Sequence, residues 1–117
     1  MTIDPIQLTQ NLVRCKSVTP AEAGTLTLLE SVLTPLGFVC ERHTFEAPGT
    51  VPVENLYATI GSGEPHILFA GHVDVVPVGD LSSWTIGPFS AELSAGYLFG
   101  RGAADMKGAI AAFTDAL

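Results

Sequence analysis

The chain has 117 residues and sets twelve Asp and Glu against five Lys and Arg, a net charge of -7; that sign is wrong for holding phosphates and excludes nucleic acid and anionic membrane as expected partners. With 47% hydrophobic and 15% charged residues and a mean hydropathy of +0.39, it is a core-forming chain of one domain at most, since a domain takes roughly 100 to 200 residues, and disorder is excluded as its main state. The longest stretch free of Asp, Glu, Lys and Arg, Leu81 to Ala91, falls far short of the ~18 residues a membrane span needs, and Asp4-Pro5 stands where a secretory signal needs basic then apolar residues, so the expected location is cytoplasmic.

Asp4 followed by Pro5 predicts a helix start, and Leu8, Leu12 and Cys15 recur on one face at helical spacing to near Lys16. Thr19, Pro20 and Glu22 read as a second start, a capping box in which Glu22 reaches back to the Thr19 amide. Leu26, Leu29, Leu33 and Leu36 supply that helix's apolar stripe, and Gly37 ends it. The period then changes, and Phe38 to Phe45 and Asn55 to Ile60 read as strands, the second closed by Gly61, Ser62 and Gly63. Ile67, Leu68, Phe69 and Ala70 form a short apolar run that predicts a central strand buried on both faces. Val76 to Phe89 is a Pro-, Gly- and Ser-rich loop, and Ser90 to Leu93 and Tyr97 to Phe99 pair as a hairpin around Gly96. From Met106, Ile110, Phe113 and Leu117 return to helical spacing with no Gly or Pro stop, which predicts that these residues are part of a longer chain. The sum is an α/β fold, a mixed β-sheet flanked by helices. Cys15 and Cys40 form no CxxC and read as buried, reduced thiols.

Two segments carry chemistry. In Phe69-Ala-Gly-His-Val-Asp-Val-Val-Pro-Val-Gly-Asp80, His72 and Asp74 sit two apart at the end of the apolar run, the edge where open α/β sheets bind ligands. If the strand continues, period two places both side chains on one face. The imidazole then offers one nitrogen to a metal while the carboxylate fixes the other; a pair that merely caps a loop is the competing reading. In Tyr97-Leu-Phe-Gly-Arg-Gly-Ala-Ala-Asp-Met-Lys-Gly108, glycines flank Asp105 just before a helix. A dinucleotide fingerprint needs Gly where Asp105 stands, and a phosphate loop needs Gly-Lys-Ser/Thr, whereas Lys107 precedes Gly108. What remains is a carboxylate on a tight, Gly-permitted turn, either able to bridge two cations or simply capping the helix.

Together, Gly71-His-Val-Asp-Val-Val-Pro-Val-Gly-Asp80 and Gly100-Arg-Gly-Ala-Ala-Asp-Met-Lys-Gly108 resemble the dinuclear zinc hydrolase family of aminoacylases and carboxypeptidase G-type enzymes. Ser17-Val-Thr-Pro20, Trp84-Thr-Ile-Gly-Pro-Phe-Ser-Ala-Glu92 and Ala103-Ala104 narrow the resemblance to one branch. It spans nearly the whole chain but only the opening part of a family member. The resemblance implies a zinc-exopeptidase-like (phosphorylase/hydrolase-like) catalytic domain of which residues 1–117 are the N-terminal portion. It implies that His72 ligates zinc, that Asp105 bridges two Zn2+ ions, for which Co2+ substitutes, and that Asp74 is the catalytic-site carboxylate orienting His72. It also implies a cis Asp105-Met106 peptide, a small N-acyl amino-acid substrate cleaved at its amide, and a homodimer at full length. The general-base Glu, the remaining metal ligands and a lid or dimerisation domain are then expected beyond residue 117, so the 117-residue chain alone is expected to be inactive. Ala95-Gly96 departs from the Asp-Gly frequent in relatives, which bears only on that turn's stability. A non-catalytic truncated product or interaction module is the alternative from another class.

His43 and His66 have no partner at useful spacing and read as surface residues. Trp84 either walls a site mouth or packs on its own scaffold. Lys107 either steers an acidic substrate or offsets Asp105, and its spacing does not decide. Ser82 and Ser83 lack a base in any nucleophile motif.

Overall fold

A computed structural model describes residues 2–117. Helix α1, Pro5–Arg14, starts as its sequence dictates: the Asp4 carboxylate accepts from the Ile6 and Gln7 amides, two donors the first turn cannot satisfy internally. Helix α2, Thr25–Leu33, tightens into a 3-10 turn over Thr34–Leu36 and stops at Gly37, whose φ of 96° suits a residue without Cβ. The expected capping box at Thr19 does not form. The Thr19 amide instead donates to the Val75 carbonyl, and the Glu22 carboxylate turns forward to accept from the Gly24 and Leu26 amides. Glu22 still caps α2, but from upstream of a helix that begins several residues later than the motif suggests.

Strands β1, Val39–Phe45, and β2, Val53–Thr59, pair antiparallel with Val39 opposite Thr59 and Phe45 opposite Val53. Arg42 fastens this hairpin to α2, donating to both Glu30 carboxylate oxygens at 2.8 and 2.9 Å and to the Thr27 hydroxyl at 2.7 Å. Strands β3, Glu92–Ser94, and β4, Tyr97–Phe99, form a second hairpin. Its two turn residues, Ala95 and Gly96, both have positive φ, 50° and 82°, as the twist of a two-residue hairpin loop requires. Helix α3, Gly108–Asp115, closes the described chain. A parallel bridge between Val18 and Val75 ties the link after α1 to the segment after His72.

The α/β class therefore holds, with helices packed around Leu8, Leu12, Leu29, Ile110 and Ala111. Leu12 is fully buried between α1 and α3, a position where truncation to Ala typically costs about 2–5 kcal/mol. Residues 67–70 correct the expectation of a buried central strand. Among the described residues nothing pairs with them, and Ile67 and Leu68 are 85% and 71% exposed. A strand is stabilised by its ladder neighbours, and its apolar run alone does not supply them. Phe69 nevertheless stacks on Phe113 of α3, centroids 4.1 Å apart, and so holds the approach to His72 against the core. Both cysteines are free but only half-buried, less enclosed than expected. Trp84 packs on its own loop, donating from Nε1 to the Val78 carbonyl, with the Arg101 guanidinium over its ring. His43 and His66 are exposed, as expected. No described helix is long and apolar enough to cross a membrane.

Candidate metal centre

His72 and Asp105, 33 positions apart in sequence, meet at the surface. His72 Nε2 lies 3.0 Å from Asp105 Oδ1. On the other edge of the ring, Nδ1 lies 3.0 Å from the Asp74 carbonyl oxygen and 3.3 Å from Asp74 Oδ1. The expected orienting role of Asp74 is thus shared, its backbone carbonyl being the nearer acceptor and its carboxylate the second. The His72–Asp74 segment is not a regular strand, yet the two side chains meet as the two-residue spacing anticipated.

Asp105 is presented by a turn over Ala103–Lys107 in which Asp105 and Met106 leave helical φ and ψ, and the Asp105-Met106 peptide is cis. The turn opens at Gly102 with φ 85°. A Cβ there would stand 2.5 Å from Val75 Cγ1 and 3.4 Å from Lys107 Cδ, so glycine is required by both conformation and space. The two halves also touch directly, the His72 amide donating to Met106 Sδ at 3.3 Å.

The electrostatics favour a cation between them. Both His72 nitrogens face oxygens that only accept, while a neutral imidazole has one N–H to give. With Nδ1 donating to Asp74, the Nε2 lone pair confronts the Asp105 carboxylate, an opposition relieved by a proton or by a metal ion. Burial disfavours the imidazolium, but the Asp74 carbonyl and the Asp105 carboxylate outweigh it and raise the His72 pKa above its ordinary value. The spacing suits a metal as well: two tetrahedral zinc ligands, each about 2.0–2.1 Å from the ion, stand about 3.3 Å apart, a few tenths more than the observed 3.0 Å. Asp105 is 87% exposed and His72 48%, open to an incoming ion. Among the described residues no group of three or more His, Cys, Asp or Glu side chains is placed to hold a metal ion, and His72 with Asp105 offers two candidate ligands where a catalytic zinc takes about three.

Two neighbours of the pair had no decisive signal in sequence. Lys107 is fully buried and donates from Nζ to the Leu12 and Cys15 carbonyls at 2.8 and 2.9 Å, so it neither steers substrate nor lies free beside Asp105. Burial pushes its pKa below the ordinary lysine value. Ser17, also fully buried, donates from Oγ to the Val73 carbonyl at 2.7 Å. Both contacts join residues far apart in the chain, which no local pattern encodes. Beside His72 and Asp74 opens an apolar groove lined by Leu26, Leu29, Leu56, Phe69 and Phe113.

Residues 68–117 match peptidase family M20/M25/M40. The chain is 57% identical over 113 residues to the succinyl-diaminopimelate desuccinylase of Parvibaculum lavamentivorans, covering 97% of this chain and 29% of that protein. It is 56% identical over 117 residues to the desuccinylase of Rhodospirillum centenum, covering all of this chain and 30% of that protein. Its fold is similar to that of human carnosine dipeptidase 1, with a TM-score of 0.83 at 25% identity over 96% of this chain and 27% of the other. The chain spans less than a third of the length of these relatives.

Proposed function

We propose that the chain is the N-terminal portion of a catalytic domain that hydrolyses N-succinyl-LL-2,6-diaminopimelate to succinate and LL-2,6-diaminopimelate, a reading supported by the match of residues 68–117 to peptidase family M20/M25/M40, a family of metal-dependent hydrolases. The observation that carries this reading is the His72–Asp105 pair at 3.0 Å with the far side of the imidazole tied to Asp74. The desuccinylase relatives support the choice of substrate, as do Ser17-Val-Thr-Pro20 and Trp84-Thr-Ile-Gly-Pro-Phe-Ser-Ala-Glu92.

In this reading His72 and Asp105 would hold zinc, with the Asp105 carboxylate shared by two ions, and Co2+ would substitute. Bound there, the metal supplies the polarisation of an amide carbonyl and the activation of a water near neutral pH. Asp74 keeps the proton on Nδ1, so the Nε2 lone pair stays available. Asp105 brings a negative charge that lowers the energy of a cation at its exposed rim. The proton-transferring Glu, the remaining ligands and the homodimer contacts belong to a continuation beyond Leu117, and the whole works in the cytoplasm.

The test is zinc calorimetry on the 117-residue chain alone and after adding a separately expressed continuation, followed by hydrolysis of succinylated and acetylated substrates. Tight binding is expected only in the reconstituted pair, weakened about tenfold or more by His72→Ala and by Asp105→Ala. Unchanged affinity in both variants places the metal elsewhere and ends this reading. Faster cleavage of an acetylated amino acid moves the substrate to that of a deacetylase, and metal-dependent hydrolysis by the 117-residue chain alone refutes the need for a continuation.

A further inference from the structure

The two halves of the metal pair come from distant segments and meet through the His72–Asp105 contact, the His72 amide on Met106 Sδ, Val75 against Gly102 and the Phe69–Phe113 stack. Each half is also fastened to the same short piece of backbone, the link from Cys15 to Thr19 that follows α1. On one side, the Val75 amide donates to the Ser17 carbonyl at 2.8 Å, the Thr19 amide donates to the Val75 carbonyl at 2.9 Å, and the buried Ser17 hydroxyl donates to the Val73 carbonyl at 2.7 Å. These three bonds bracket Asp74 and fix the backbone one residue past His72. On the other side, Lys107, two residues past Asp105, extends its ammonium under the turn to the Leu12 and Cys15 carbonyls. Leu12 lies in the last turn of α1 and Cys15 is its C-cap, a helix end that favours a cation, and the two carbonyls accept from the Cys15 and Ser17 amides as well.

We propose that the Cys15–Thr19 link is the template that sets the His72–Asp105 separation, with Ser17 and Lys107 as its positioning residues. Neither touches the metal site. Ser17 acts through the Val73 carbonyl on the His72–Asp74 segment, and Lys107 acts through the turn that carries Asp105. The glycine at 102 lets the two segments close on one another over Val75, since any side chain there would wedge them apart. Loss of either anchor leaves a ligand on its own segment free to drift while the other stays. For a site to which this chain brings two candidate ligands, a drift of about 1 Å removes the chelate geometry.

This inference rests on His72 and Asp105 being the metal pair, and its test separates the two ideas. In the metal-free 117-residue chain, the nuclear Overhauser effect between the His72 ring protons and the Asp105 Hβ protons reads the separation directly; zinc affinity of the same proteins, measured with the continuation present, reads its consequence. Ser17→Ala and Lys107→Met are compared with Thr9→Ala, which deletes another buried hydroxyl, bonded to the Pro5 carbonyl nearer the opposite end of α1. The expected result is a strong cross-peak in the parent and in Thr9→Ala, a several-fold weaker one in Ser17→Ala and Lys107→Met, and zinc affinity reduced about 10-fold or more in those two alone. A cross-peak unchanged in Ser17→Ala and Lys107→Met, absent in the parent, or weakened equally in Thr9→Ala overturns the template. A cross-peak that behaves as expected while zinc binding ignores His72→Ala supports the template and refutes the metal reading of the pair.

Discussion

Replacing Gly102 by Ala tests how tightly the Asp105 turn and the His72 segment are packed. Gly102 has φ 85°, where an L-residue pays roughly 1–2 kcal/mol against its Cβ, reduced by the ~0.4–1 kcal/mol that Ala removes from unfolded-chain entropy. The added methyl also stands 2.5 Å from Cγ1 of Val75, well inside ordinary carbon contact. Val75 is 4% exposed and β-branched, so it has little rotamer freedom with which to yield, and overpacking of this kind costs about 1–3 kcal/mol. The expected loss is therefore about 2–4 kcal/mol. Gly79→Ala is the control: its φ of 74° is comparable, but nothing lies within 4 Å of the added Cβ, so about 1 kcal/mol is expected. Urea unfolding followed by tryptophan fluorescence, with a denaturant slope of about 1.5 kcal/mol/M, should separate the two by a midpoint difference of about 1 M or more. Equal shifts in the two variants would show that Val75 does not press on the turn, and the close-packed description of the site would be refuted.

Ala95 occupies a positive-φ position that suits Asn or Asp better, so Ala95→Asn should stabilise the chain by about 0.5–1 kcal/mol, seen as a melting temperature higher by about 3–5 °C; a lower one contradicts the turn assignment. The Arg42 hydrogen bond holds the Glu30 carboxyl below its ordinary value of 4.5. Because a carboxyl depressed on folding contributes stability above its unfolded pKa and loses it as pH falls through the folded one, the Arg42–Glu30 contribution should persist at pH 5 and fade on acidification below 4.5. Carbon-13 titration of Glu30 should show the depressed midpoint in the parent and an ordinary one in Arg42→Met; identical midpoints would remove the ion pair from the account of how the hairpin is held.

Much of the local structure was legible residue by residue. Asp4-Pro5 announces α1, Gly37 ends the second helix, and Gly96 marks the hairpin turn, because capping and positive φ are settled by atoms within a few residues. The residues alone left His72, Asp74 and Asp105 open to capping readings, and it was the family resemblance that grouped them, as the structure does in space. The Thr19 capping box failed for a tertiary reason: the amide it needed was taken by Val75. The strand expected over 67–70 failed likewise, because an apolar run becomes a strand only beside partners, and none lies there among the described residues.

By itself, then, the amino-acid sequence determined where α1 begins and which turns bend, because these depend on side chains close in the chain, together with the α/β class, while the family resemblance singled out His72, Asp74 and Asp105 as metal-site candidates. Only the tertiary structure decided that Lys107 is an anchor for α1 across more than ninety residues, that Ser17 braces the segment next to His72, and that the Asp74 carbonyl outranks its carboxylate at the imidazole. The physical reason is the same in each case: a buried polar group takes whichever partner the packed backbone brings within about 3 Å, and that partner is chosen by the fold rather than by any neighbour in sequence.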